Sequence, residues 1–249
     1  MKTLNRLFRI IGFLEKNKNL KLQDISNMLN LHKSTVHRYL KSMIENGFAI
    51  KNEDSEKYSL GLRFVSIGSK LIISNDIRKV AHPYIKELGK LTGETIHLTT
   101  LDDANIVYID KNETENPIRM YSKIGKIVPT YCTAAGKVML AFQKKEKKEE
   151  ILRKIKFFHY TKNTITNRRR LISCLEEIKK LGYAIDNREH EDSICCIAAP
   201  IRDSSESVKY AISISILTSK TSIPRLLSYK DELLKKAKII SENLGPLND

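Results

Sequence analysis

Apolar residues in the first sixty positions recur at helical spacing in three short bursts, and that pattern leaves few folds open. Leu4, Leu7, Phe8, Ile11 and Leu14 fall three and four apart, one stripe on a helix that stops at Asn17 to Asn19. Leu22, Ile25, Met28 and Leu29 define a second, shorter helix. Asn30-Leu31-His32 reads as a turn, and Ser34 is placed to cap or open a third helix. On that helix Val36, Leu40, Met43 and Ile44 make the buried face, while Ser34, Thr35, His37, Arg38 and Lys41 point outward. Gly47 ends it, as a residue tolerant of positive φ should. A hairpin follows: Phe48 to Lys51, a polar turn Asn52 to Ser55, then Lys57 to Leu60.

Two short helices joined by a tight turn, the second exposing polar and cationic groups, fit a DNA major groove. Arg38 can donate bidentately to guanine, with Ser34, Thr35, His37 and Lys41 near base edges or phosphates. A basic wing would let Lys51 and Lys57 hold the DNA backbone. The competing account is a plain three-helix interaction module, and the agreement of helix order, turn length and wing favours DNA. Charge permits this without proving it. The 249 residues carry 44 Lys+Arg against 29 Asp+Glu, a net +15, which suits polyanionic partners of any kind. Much of the excess lies in Lys144–Lys180, where solvated helix faces are the simpler account.

Further along, Leu62 to Asn75 reads as a helix with Phe64, Ile67 and Leu71. Gly68 costs it about 1 kcal/mol relative to Ala, so it depends on packing against a partner copy or a domain. From Val80 on, helices and strands mix: a helix to Leu91 with Pro83 in its first turn, then Ile96, Leu98 and Thr100 alternating with His97 and Thr99. A turn at Asp102 to Asn105 leads to a strand, Ile106 to Ile109. Helical patterns recur at Ala135–Phe142, Lys147–Ile155, Arg168–Leu181 and Pro224–Asn243, with late strands at Cys195–Ile201 and Val208–Leu217. This order predicts an α+β domain with an antiparallel sheet. No apolar run nears the ~18 residues of a membrane span, and the N-terminus has no signal-peptide core. Four cysteines, two of them adjacent, show neither a disulfide framework nor zinc spacing. A cytoplasmic protein without metal or cofactor is the expectation.

Three places carry possible site chemistry. Thr133-Ala134-Ala135-Gly136-Lys137 opens an apolar helix with small residues, which either admit an anion to free N–H groups or serve tight packing. Ser213 and Ser215 share one strand face with Ala211 and Leu217, and Ile212, Ile214 and Ile216 take the other. The serine face is a polar pocket or a plain solvent face. Cys196 and Ala198 share a face of the neighbouring strand. Asp186 ends a short strand, placed to accept from ligand hydroxyls or to cap a loop. His190, Asp186 and a serine could suggest a hydrolase, yet no serine has the glycine spacing of a nucleophile elbow, so an enzyme is not expected.

Taken in order, these segments resemble the IclR family of bacterial transcriptional regulators over nearly the whole chain. The likeness rests on Lys33-Ser34-Thr35-Val36-His37-Arg38-Tyr39-Leu40, Asn46-Gly47-Phe48 and Tyr58-Ser59-Leu60-Gly61 in the first part. In the second it rests on Ile118-Arg119-Met120, Gly125-Lys126, Cys132 to Lys137, Gly182 to Asn187, Glu189-His190-Glu191 and Cys196 to Ile201. The resemblance implies a winged helix-turn-helix over 1–61, a linker helix over 62–78 and a GAF-like effector-binding domain over 79–249. It implies pairing into a homodimer or dimer of dimers, a palindromic double-stranded operator and a small organic-acid effector. Carried over by position, the effector meets the N–H groups of Ala134 and Ala135 and the side chains of Asp186, Cys196, Ser213 and Ser215. Pro117 to Ser122 is similar to members that respond to 2-keto-3-deoxygluconate. Three departures stand out: His32 where proline is common, Ser193 for glycine, and Cys195 for arginine. The expected function is a ligand-responsive repressor of a sugar-acid or other organic-acid catabolic operon. The alternatives are an activator of the same family and a small-molecule enzyme or sensor using its N-terminal module for protein contacts.

Overall fold

Helical spacing at the N-terminus builds a small core of its own. The computed structural model describes residues 2–17, 19–73, 76–113, 122–203, 208–218 and 223–244, and divides at Ser74/Asn75 into two units. In the first, α1 (Lys2–Lys16), α2 (Leu22–Leu29) and α3 (Lys33–Glu45) close on Ile10, Leu14, Ile25, Leu29, Val36, Leu40 and Met43. The stripe on α1 differs from its expectation: Ile10 and Leu14 are buried, while Leu4 and Phe8 stand 60% and 65% exposed. Ile44 is likewise 39% exposed, because Met43 takes the inward position at the end of α3.

The helix-turn-helix angle is set by backbone conformation at its joints. Asn30 caps α2 in the left-handed region at φ 52°. His32, not Ser34, is the N-cap of α3, and its carbonyl accepts from Val36 N at 3.2 Å. Ser34 therefore lies inside the first turn. The His32 backbone sits at φ −61°, the value a proline ring would fix, so the departure at this position leaves the turn intact. Gly47 adopts φ +76° after α3, where a side chain would be strained. Strands β1 (Leu20–Lys21), β2 (Ala49–Asn52) and β3 (Lys57–Leu60) form an antiparallel sheet in the order β1-β3-β2, with Tyr58 buried beneath it. Helix α4 (Arg63–Ile73) docks Phe64 edge-on against Phe48 at 5.1 Å and leaves Val65 and Ile67 exposed.

The helix expected from Val80 begins earlier. Helix α5 (Asp76–Thr92) carries a buried stripe of Ile77, Ala81, Ile85 and Leu88, which extends the helix one turn N-terminal and puts Pro83 in mid-helix. The linker expected over 62–78 is thus split between α4 and α5. Strands β4 (Thr95–Asp102), β5 (Asn105–Asn112) and β6 (Ile127–Pro129) lead into α6 (Ala134–Ala141), α7 (Lys145–Lys154) and α8 (Arg168–Leu181). Strands β7 (Ala184–Asn187), β8 (Ile194–Ile201) and β9 (Tyr210–Leu217) follow, then α9 (Ile223–Ser228) and α10 (Lys230–Asn243), separated at Tyr229 where one helix had been expected. The sheet is antiparallel in the order β6-β5-β4-β9-β8-β7. Ile212, Ile214, Ile216, Ile197 and Ala199 face α5 and α10 in one core. Ala198 and Ala211 face α6 and α8 in the other. The serine face of β9 is therefore inside the protein: Ser213 and Ser215 are buried. Of the stretch Pro117 to Ser122, only Ser122 lies among the described residues.

Candidate functional site

On the first unit, Ser34, His37, Arg38 and Lys41 are exposed along α3, and Thr35 is half-buried. His37 and Lys51 line one cleft of about 380 Å³ together with Lys21, Gln23 and Lys33. The last three are not among the DNA-contact candidates read from sequence, since a two-residue strand and the first residues of a helix carry no periodic signal. Lys51 is engaged at the wing tip, 3.2 Å from Glu56, and that carboxylate raises its pKa. Lys21 and Lys57 stand directly opposite each other in the β1–β3 register. Like charges so placed repel, and a phosphate between them removes the cost.

In the second unit all the residues assigned to the effector converge. Ala134, Ala135, Asp186, Cys196, Ser213 and Ser215 line a single cavity of about 480 Å³, of which only about 30 Å³ admits the centre of a water molecule. Register explains this: Asp186 pairs Cys196, Cys196 pairs Ser215 and Ala198 pairs Ser213, so alternate residues of adjacent strands share the α6 face. At its other wall α6 begins. Thr133 Oγ1 accepts from Gly136 N at 3.2 Å and donates to Pro129 O at 2.9 Å. The N–H groups of Ala134 and Ala135 have no acceptor within the helix and carry the positive end of its dipole. Gly136 lets α6 approach this closely, since a Cβ there would lie 2.3 Å from the Thr130 carbonyl oxygen.

Two of the cavity's serines, Ser122 and Ser215, belong to a chain of polar contacts that runs behind the lining. His97, 1% exposed on β4, brings Nε2 to 2.8 Å from Ser122 Oγ and Nδ1 to 3.3 Å from Ser215 Oγ. Cys196 Sγ donates to Ser215 Oγ at 3.2 Å. The imidazole stacks on Tyr108 at 4.6 Å. Burial, aided by Lys111 and Lys126, lowers the His97 pKa to about 3, so the ring is neutral, donating at one nitrogen and accepting at the other. Burial likewise pushes the Cys196 thiol well up, which keeps it protonated and a donor.

Asp186 is 3% exposed, and burial together with Glu189 raises its carboxyl to about 7. Its Oδ1 accepts from Glu189 N at 2.7 Å. Behind it, Lys137 of α6 is 2% exposed, donates to Ile185 O at 2.7 Å and pairs with Glu189. Thr161 and Thr164 hold the carbonyls of Arg188 and Glu189, at 2.5 and 2.6 Å. The turn carrying Asp186 is thus fixed from three sides. His190 turns to Glu191 at 3.6 Å, not to Asp186, so no relay of the hydrolase kind forms. Among the described residues, no cluster of His, Cys, Asp or Glu could hold a metal, and no helix is long and apolar enough to cross a membrane.

Comparison with known proteins places both sites in one context. The family model "IclR helix-turn-helix domain" matches residues 3–53, and "Bacterial transcriptional regulator IclR C-terminal" matches residues 69–242. The HTH-type transcriptional regulator KdgR of Escherichia coli is 36% identical over 240 residues, 96% of this chain and 91% of its own. The DNA-binding transcriptional repressor YiaJ of the same organism is 33% identical over 227 residues, 90% of this chain and 80% of its own. The crystal structure of the Thermotoga maritima IclR superposes with a TM-score of 0.77 at 37% identity, covering 98% of this chain and 99% of that one.

Proposed function

The chain belongs to the IclR family of bacterial transcriptional regulators, and on that premise we propose that it is a cytoplasmic repressor released by a small carboxylate effector. The observation that carries the reading is the cavity in which the start of α6, Asp186, Cys196, Ser213 and Ser215 meet. A helix N-terminus favours a carboxylate, while hydroxyls and a protonated carboxyl suit a polyhydroxylated chain. The effector proposed is 2-keto-3-deoxygluconate, on the likeness of Pro117 to Ser122 to members that respond to it, and sugar-acid catabolism is the proposed target. Repression is favoured by a relative named as a repressor. Pairing into a dimer is supported by the apolar side chains that the first unit leaves outside its core, Leu4 and Phe8 on α1 with Val65 and Ile67 on α4. Two recognition helices then read a palindrome, and effector binding shifts the population away from the arrangement that fits it.

Selection of bound duplexes from a random pool, with and without 2-keto-3-deoxygluconate, tests this directly. Enrichment of one palindrome that the acid abolishes is the expected result; enrichment only with the acid present would point to activation. Salt-sensitive retention without enrichment would remove the regulator's sequence specificity. On the selected operator, Arg38→Ala is expected to cost about 1–3 kcal/mol and to relax preference at one position. Uniform weakening across sequences would assign Arg38 to a phosphate instead. Ser213→Ala with Ser215→Ala is expected to abolish the response to the acid while leaving operator affinity intact, measured by fluorescence anisotropy on labelled duplex.

A further inference from the structure

The effector cavity is nearly full, and its lysine already pairs with a carboxylate. Only about 30 Å³ of it admits a water centre, room for about two such positions. A six-carbon acid needs far more, so loading displaces something that now lines the space. Three charged side chains line the cavity beside His190: Lys126, Asp186 and Glu191. Lys126, just before β6, reaches Glu191 at 3.4 Å, and the two side chains are 31% and 40% exposed, at the rim rather than in the wall. Glu191 is also held by His190, and these neighbours keep its carboxyl below the ordinary range.

An incoming carboxylate adds negative charge to a site that already has two carboxyls against one ammonium. Asp186 can accommodate it by holding a proton, since its wall position raises its pKa to about 7. Glu191 cannot, because it is stabilised as the anion. Its exposure offers another course: it can leave for water at small cost and yield its own place beside Lys126 to another carboxylate. Asp186 has no such exit, being buried and fastened to Glu189 N.

We propose that Glu191 holds the place of the effector's carboxylate at Lys126, so that loading exchanges one carboxylate for another and Lys126 selects acids over neutral analogues. This rests on the reading of the cavity as the effector site and adds two residues to it. Lys126 and the start of α6 are then the positive elements of the pocket, and Glu191 is an internal competitor that sets how much acid is needed.

Isothermal titration of the full-length protein with 2-keto-3-deoxygluconate and with its methyl ester separates the possibilities. The wild type is expected to prefer the acid by about tenfold or more, the scale of a charged hydrogen bond. Lys126→Met brings the acid down to the level of the ester. Glu191→Gln tightens the acid by about three- to tenfold and leaves the ester unchanged, because the competitor is gone but the cation remains. An acid preference that survives Lys126→Met, or an acid affinity unmoved by Glu191→Gln, overturns the inference. The Ser213→Ala, Ser215→Ala protein separates this from failure of the cavity reading. Should that double variant lose the acid while Lys126 and Glu191 prove indifferent, the exchange falls and the effector site stands. Should the wild type bind neither ligand, the site reading falls and takes the exchange with it.

Discussion

Lys137→Met should destabilise the second unit by about 3–5 kcal/mol, the cost of stranding one member of a buried ion pair. The lysine side chain is 2% exposed and that of Glu189 is 9% exposed, so neither charge has water to fall back on. Glu189 Oε2 already lacks a hydrogen-bond partner among the described residues, and methionine would remove the contact that satisfies Oε1. The substitution also uncovers an edge. β7 is the last strand of its sheet, and Lys137 and Asn163 occupy the outward carbonyls of Ile185 and Asn187, at 2.7 and 2.9 Å. Covered edges resist pairing with other chains, so the variant should aggregate on heating as well as melt earlier. Urea denaturation of Lys137→Met, Glu189→Leu and the double variant checks the assignment. Replacing both charges with apolar groups should cost no more than either single replacement, so that the coupling is of the order of one single loss, about 3 kcal/mol or more. Additive losses would show that the two side chains do not act as a pair.

Asp186→Asn should do the opposite, increasingly as pH rises from about 4 to 7. Burial, then the charge of Glu189, raises the Asp186 carboxyl to about 7, against 3.8 in the open chain. The folded state binds this proton more tightly than the unfolded one. Its contribution to stability is therefore fully present below pH 3.8 and is lost progressively as pH rises to about 7. Beyond that, the whole cost of a buried anion stands, at most about 4 kcal/mol for a shift of this size. Asparagine keeps an oxygen to accept from Glu189 N and carries no charge. The variant should match the wild type near pH 3 and exceed it by up to about 4 kcal/mol at pH 8. Denaturation midpoints at the two pH values decide it, and an equal difference at both would place the proton elsewhere.

What the sequence made legible follows from range. The alternation over Ala211 to Leu217 placed Ser213 and Ser215 on one face because strand geometry is local. The small residues before Lys137 marked the start of α6 for the same reason. Burial of that serine face could not be read, since it depends on α6 and α8 arriving from elsewhere in the chain. His97, Tyr108 and Ser122 carry no local mark as site residues: each comes from a different segment, and only the sheet order sets β4 beside β9 and β5 beside β4. Lys137 was read as part of the helix start, with no sign that its partner lies 52 residues away. The early start of α5 was missed because Pro83 suggested a first turn, whereas the buried stripe from Ile77 outweighs one absent N–H. The outward face of α3 is clearer, because exposure along one helix needs no tertiary partner to be read.

The two-faced character of β8 and β9 has a consequence for how such a protein can change over time. Odd positions Ser213 and Ser215 line the cavity, while even positions Ile212, Ile214 and Ile216 fill the core beneath α5 and α10. In β9 a substitution at an odd position alters the cavity lining and leaves the aliphatic layer untouched, and one at an even position does the reverse; in β8, where Cys196 lines the cavity and Ile197 the core, the parity is inverted. Mutational drift can therefore reshape the cavity one letter at a time without first having to acquire a more robust scaffold, and a single inserted residue in either strand would disrupt cavity and core together.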